Sequence, residues 1–189
     1  IFKIIYYVFL STDENKELII YYFYLNAMKY KNKILNMRYL KCVQSSLKIS
    51  QYVSRENHKY KGFVRFKELE NDILYAEIEP INNILDILSK HFKRRLRENY
   101  WIIKDVKRNI ISIYDKTDYI IIDGDNFSLY TNNISKDEVK YQDLWLNFYK
   151  TIGINERKND KCRMNFMPKR YWKYIIEMED EIWKKLLAE

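Results

Sequence analysis

The chain has 189 residues, 47% of them hydrophobic and 32% charged, and carries a formal net charge of +8. That balance excludes a membrane-like or disordered composition. The length suits one ordinary domain, which buries roughly 70% of the surface its unfolded chain exposes and needs no metal or disulfide staple. The positive excess favours polyanions such as nucleic acid through counterion release, or an anionic membrane through attraction, although an AT-rich genome would also enrich Lys, Asn, Ile and Tyr.

The opening run Ile1 to Leu10 is apolar but too short to span a bilayer, Lys3 interrupts it, and no small-residue cleavage site follows. Neither a membrane association nor a signal peptide is expected, and the start at Ile1 rather than Met suggests that an N-terminal portion lies outside this sequence. Ser11 and Glu14 have capping-box spacing, and Leu18 to Tyr30 behind them has helical length without a breaker. From about Ile34 to His58 there is no Gly or Pro, and Met37, Leu40, Val43 and Leu47 make one apolar stripe, so a second helix is predicted.

Period-two patterning follows. Gly62 to Phe66 and Ile73 to Ile78 flank Glu70-Asn71-Asp72, which signals a hairpin. A three-residue loop puts Val64 and Phe66 on the face of Leu74, Ala76 and Ile78 and sets Arg65 opposite Glu77; a two-residue loop would slip Arg65 onto that apolar face. Pro80 ends the strand, and Ile81 to Glu98 is predicted as a helix whose buried side carries Ile84, Leu85, Leu88, Phe92 and Leu96. Three strands are expected at Tyr100 to Val106, Ile110 to Tyr114 and Tyr119 to Ile122, then a shorter one at Phe127 to Tyr130 after the turn Asp123-Gly124-Asp125-Asn126. Their short connections imply antiparallel pairing.

From Asp137 the pattern is helical again, with Tyr141, Trp145, Phe148 and Ile152 on one stripe, and a final helix is expected after Met167-Pro168. No linker, internal repeat or low-complexity tract interrupts the chain. The expectation is one α+β domain over 1–189, a central antiparallel sheet of about five or six strands with N-terminal and C-terminal helices packed on it.

The segment Glu56-Asn57-His58-Lys59-Tyr60-Lys61-Gly62-Phe63-Val64-Arg65-Phe66 is similar to an E-x-H-x-x-x-G-F-x-R-F block of a bacterial family described as DNA repair or DNA metabolism proteins. Ala76-Glu77-Ile78-Glu79-Pro80, His91-Phe92-Lys93-Arg94-Arg95, Trp101 to Asp105 with Arg108, Trp145, Glu156 to Asn159 and Met167 to Trp172 follow in that family's order. The resemblance covers about Leu10 to Glu177. It implies a role in DNA metabolism beside a radical-SAM partner, or beside a uracil-DNA-glycosylase-like domain to which similar chains are fused. Where the family has a Pro-x-x-Gln run after Asn159, this chain has Asp160-Lys161-Cys162-Arg163, which puts any role of that Gln in doubt here.

The family blocks single out His58, Arg65, Glu77, His91, Arg95, Asp105 and Arg108. These types could form a phosphate site with a titratable imidazole, His58, His91 and Asp105 being the catalytic candidates. The plainer alternative is that Arg65–Glu77 and Arg95–Asp105 are structural ion pairs. Lys90, Lys93, Arg94, Arg95 and Arg97 look basic, yet Asp86, Lys90, Arg94 and Glu98 form an i, i+4 charge ladder that suits a solvated face. A better nucleic-acid candidate is the stretch of Arg157, Lys158, Lys161, Arg163, Lys169 and Arg170, interleaved with Phe166, Tyr171 and Trp172, since cations with aromatics neutralise phosphates while stacking on unpaired bases. Its plainer alternative is that these aromatics pack the last helix onto the core.

Cys42 and Cys162 lie far apart and outside any C-x-x-C pair, so thiolates alone assemble no zinc site or iron–sulfur cluster, and reduced thiols of a cytoplasmic protein are expected. The phosphate loop, the dinucleotide fingerprint, the nucleophile elbow, the zinc-deaminase signature and the radical-SAM cysteine triplet are all absent from the sequence. No cofactor or metal is expected. Three functions remain open at this level: a DNA-binding or partner-docking accessory module, a stand-alone enzyme on nucleic acid or a phosphorylated substrate, and a structural scaffold.

Overall fold

The computed structural model describes residues 1–126, 134–154, 157 and 159–178, so the strand expected at 127–130 lies outside the described residues. The chain divides into two units, Ile1–Gly62 with Pro80–Leu88 and Phe63–Glu79 with Ser89–Glu189. Among the described residues no helix is long and apolar enough to cross a membrane.

The first unit is helical: α1 (Phe2–Phe9), α2 (Lys16–Tyr30), a 3-10 turn at Lys31–Asn36, and α3 (Lys41–Phe63). Phe23, Ala27, Ile34 and Val43 are buried together, with Ile4, Ile5, Leu40 and Leu47 packed around them. Full burial of a Phe, Ile or Val side chain such as Phe23, Ile34 or Val43 contributes about 1.5–3 kcal/mol. The Ser11–Glu14 capping box does not form. Asn15 is the N-cap of α2, while Ser11 closes α1 by donating its hydroxyl to the Val8 carbonyl at 2.7 Å, and Lys16 donates to the Phe9 and Ser11 carbonyls.

Glu56 organises the rest of this unit. It is 4% exposed, and its carboxylate accepts from the Ile81 and Asn82 amides at 2.8 and 2.9 Å and from Asn82 Nδ2 at 2.6 Å. Asn82 Oδ1 accepts in turn from the Thr12 amide at 3.2 Å. The helix expected from Ile81 starts later, as α4 (Leu85–Arg95), and the Ile81 and Asn82 amides ahead of it donate to Glu56. Its expected apolar side is otherwise found, with Ile84, Leu85, Leu88 and Phe92 buried and Leu96 half-buried.

The second unit holds a five-stranded sheet in the order β1 (Lys67–Glu68), β2 (Ile73–Ile78), β3 (Tyr100–Asp105), β4 (Ile110–Tyr114), β5 (Tyr119–Asp123). The five strands with helices before and after them agree with the expected α+β class. One pairing differs: β2 and β3 are parallel, whereas the other neighbours are antiparallel. The connection between β2 and β3 passes through α4, and a helical crossover returns the chain in the same direction.

The β1–β2 hairpin has the register predicted from its three-residue loop, with Lys67 opposite Tyr75 and Glu68 opposite Leu74. Asp72 takes the left-handed conformation at φ 57° and its amide donates to the Leu69 carbonyl, as such loops require. Yet β1 is only two residues long. Gly62 and Phe63 finish α3, so the strand expected at 62–66 is not there.

The near-continuous apolar runs of β3 and β4 follow from burial on both faces. On one face Leu69, Tyr75, Ile102 and Ile111 cluster with Ile73, Ile113 and Ile122. On the other, Trp101 stacks on Tyr114 at 5.1 Å, Ser89 of α4 donates to Ser112 of β4 at 2.7 Å, and Phe92 of α4 meets Phe66 edge-on. After the sheet come α5 (Lys136–Ile152), α6 (Asp160–Phe166) and a 3-10 turn at Lys169–Tyr174, where a regular helix had been expected.

Candidate nucleic-acid interface

Ser135 caps α5 by accepting the Glu138 amide at 3.0 Å, and its own amide donates to the Glu68 carbonyl, which fixes the start of α5 beside β1. Asn159 caps α6 in the same way, accepting from the Cys162 amide at 2.9 Å. Between the end of α5 and α6 lies a cleft of about 620 Å³ whose walls include Tyr149, Lys150, Arg157, Cys162, Arg163 and Phe166. Arg163 is the hub of this wall. It pairs with Asp160 at 3.1 Å, meets the Tyr149 hydroxyl at 3.4 Å and lies 5.1 Å from the Trp172 ring centroid.

The expected basic and aromatic stretch is therefore only partly a surface. Arg157, Lys161, Lys169 and Arg170 are exposed, and Phe166 is 75% exposed at the cleft. Lys158 lies outside the described residues. Tyr171 and Trp172 are 3% and 5% exposed, so their reading as stacking platforms for bases is corrected: they are packing residues. Trp172 donates its indole N–H to the Met167 carbonyl at 2.9 Å, and Tyr171 packs on Phe63 and under the Arg170 guanidinium.

The central polar residues of the second unit take separate partners. Arg65 pairs with Glu177 at 2.8 Å rather than with Glu77, and Trp145 Nε1 donates to the same Glu177 carboxylate at 3.1 Å. Glu77 accepts instead from the Tyr75 hydroxyl. Two residues of strand register bring Arg65 level with Glu77, but β1 has ended before it, and the side chain is taken by a carboxylate far along the chain. Burial raises the Glu177 carboxyl, and the Arg65 guanidinium with the backbone and the indole outweighs it, so the group titrates below the usual carboxylate range.

Asp105 is fully buried and pairs with Arg108 at 2.9 Å, not with Arg95, which is exposed. Burial pushes the Asp105 carboxyl up against the opposing pull of Arg108. His91 is half-buried, edge-on to Phe92 at 5.1 Å, and His58 is exposed on α3. None of the described clefts is lined by His58, His91 or Asp105. Among the described residues no group of three or more His, Cys, Asp or Glu side chains is placed to hold a metal ion.

Two features escaped the sequence reading. The stripe Tyr141, Trp145, Phe148 and Ile152 of α5, whose spacing is legible in the sequence, is exposed, and its Tyr141, Trp145 and Phe148 border, with Leu144, Arg65 and Gln142, an apolar groove of about 750 Å³. On α3 only the apolar stripe was read, although the polar positions Lys41, Ser45, Lys48, Tyr52 and Arg55 recur at the same three- and four-residue steps.

Residues 14–177 match the model of a family described as a domain of unknown function, DUF4130. No curated protein and no solved structure matches the chain.

Proposed function

The chain belongs to this family, and from that premise we propose that it is a nucleic-acid-binding accessory module that presents DNA to, or docks on, a radical-SAM or glycosylase-type repair enzyme. The observation that carries the reading is the cleft between α5 and α6, where the exposed Arg157 and the exposed ring of Phe166 share a wall with Lys150 and Arg163. Cations there neutralise phosphates, and an exposed ring beside them offers a face to an unpaired base. The exposed apolar stripe of α5 supports the docking half, because a contiguous apolar face on a surface helix marks an interaction site. That none of the described clefts is lined by His58, His91 or Asp105 weighs against a stand-alone enzyme built from them.

The test is binding of labelled single-stranded and duplex DNA to the full chain across a salt series, with an Arg157→Ala/Lys161→Ala variant alongside. Affinity should fall steeply with salt, and the variant should bind about tenfold more weakly at about 0.1 M salt, as loss of two phosphate contacts predicts. Absence of binding at low salt refutes the reading.

A further inference from the structure

The excess charge of the chain is not spread evenly. Residues 1–62 with 80–88 contain eleven Lys and Arg against five Asp and Glu, a net +6 of the total +8. Three of these cations lie on one face of α3. Lys41, Lys48 and Arg55 are seven residues apart, with Ser45 and Tyr52 between them at i+4 and i+11, so the five positions form a single stripe on a helix of 3.6 residues per turn. Lys41, Lys48, Tyr52 and Arg55 are exposed. None of the three cations pairs with a carboxylate among the described residues.

This stripe borders two clefts. One, about 510 Å³, is lined by Lys48, Tyr52 and Arg55 of α3, by Gln51, and by Ser11 and Asn82. The other, about 350 Å³, is lined by Lys41 and by Tyr22 and Asn26 of α2. Ile19 and Ser45 line both, so the clefts join into one trough along α2 and α3. The walls near Asn82 and Ser11 are rigid, because both side chains are buried and already hydrogen-bonded within the Glu56 network and the α1 terminus.

We propose that this trough binds the backbone of a single-stranded nucleic acid, with Lys41, Lys48 and Arg55 on successive phosphates and the exposed rings of Tyr22 and Tyr52 against unpaired bases. Fourteen residues of helix place Lys41 and Arg55 about 21 Å apart, longer than a mononucleotide and suited to a linear polyanion. Tyr22 and Tyr52 are 50% and 46% exposed, and ring faces beside a cation row are useful only to bases that are not already stacked and paired in a duplex. Asp13 is the one carboxylate on the trough walls, opposed by Lys48 and Arg55. The ligand class rests on the reading of the chain as nucleic-acid-binding; the location does not.

The experiment uses the full chain and fluorescein-labelled oligothymidylate, by anisotropy over a salt series, with a matched duplex beside it. Lys48→Ala/Arg55→Ala, both exposed and outside the core, should weaken oligothymidylate binding at least tenfold and flatten the salt dependence by about 1.4 in log–log slope, two single-strand phosphate contacts at about 0.7 each. Tyr52→Ala should weaken it about fivefold or more while leaving the salt slope unchanged, since stacking releases no counterions. Asp13→Asn should tighten it. Circular dichroism and the melting temperature confirm that each variant is folded.

If Lys48→Ala/Arg55→Ala binds within twofold of the parent while Arg157→Ala/Lys161→Ala does not, the trough is overturned and the cleft between α5 and α6 stands alone. The reverse pattern supports the trough and overturns that cleft. Equal affinity for the duplex, with Tyr52→Ala silent, overturns the single-strand assignment. No binding of either DNA at low salt overturns both readings.

Discussion

In the second unit several cations are answered by carboxylates: Arg65 by Glu177, Arg108 by Asp105, Lys93 by Asp118, Arg163 by Asp160 and Lys173 by Glu79. In the first unit Lys41, Lys48 and Arg55 meet no such partner among the described residues, and the buried Glu56 is spent on backbone amides and Asn82. The second unit uses part of its charge to hold itself together, while its Arg157 and Lys161, like Lys41, Lys48 and Arg55 of α3, face solvent. A net charge summed over the chain conceals this difference, because it adds paired and unpaired groups alike.

The sharpest way to break the comparison is to remove one partner of a buried pair. Arg108→Ala should cost about 3–5 kcal/mol at neutral pH in urea unfolding, since it strands the fully buried Asp105 carboxylate. Lys173→Ala at the exposed Glu79 pair should cost far less, because solvent screens that pair. If the two losses were alike, the charges of the second unit would not be structural.

Glycine substitutions sharpen the contrast at smaller cost. At Gly124 a Cβ would lie 2.4 Å from Asn109 Oδ1 and 2.8 Å from the Asn109 carbonyl oxygen, where the Gly124 amide already donates at 2.7 Å. Gly124→Ala should therefore lose about 1–3 kcal/mol through overpacking. At Gly62, inside α3, nothing lies within 4 Å of the added carbon, and Gly62→Ala should gain about 0.5–1 kcal/mol from helix propensity. Thermal unfolding of both variants decides the pair, and a loss at Gly62 would show that its place in the E-x-H-x-x-x-G-F block is not conformational.

The smallest effect concerns pH. Glu177 titrates below its unfolded value, so its contribution is full above the ordinary carboxylate range and is lost as pH falls through the lowered value. Asp105 is raised by burial, so its contribution runs the other way and is lost as pH rises through the raised value. Glu177→Gln should flatten the acid limb of stability against pH and Asp105→Asn should steepen it. Shifts in the same direction would mean that Arg108 outweighs burial at Asp105.

Two S-x-x-E segments show that one local spacing has two outcomes. Ser135 with Glu138 opens α5, whereas Ser11 with Glu14 has the same spacing and does not open α2: Ser11 donates its hydroxyl to the Val8 carbonyl at the end of α1, and Asn15 is the N-cap of α2. Most helix and strand periods, the three-residue hairpin loop and the buried positions Ile84, Leu85, Leu88 and Phe92 at and before the start of α4 were determined by the sequence alone, since each depends on neighbours within a few turns or one loop. The tertiary structure alone decided the parallel β2–β3 pairing, the choice of Glu177 for Arg65 and Arg108 for Asp105, and the burial of Tyr171 and Trp172. A charge or a ring takes whichever partner the fold brings within a few ångströms, and separation along the chain does not predict that distance.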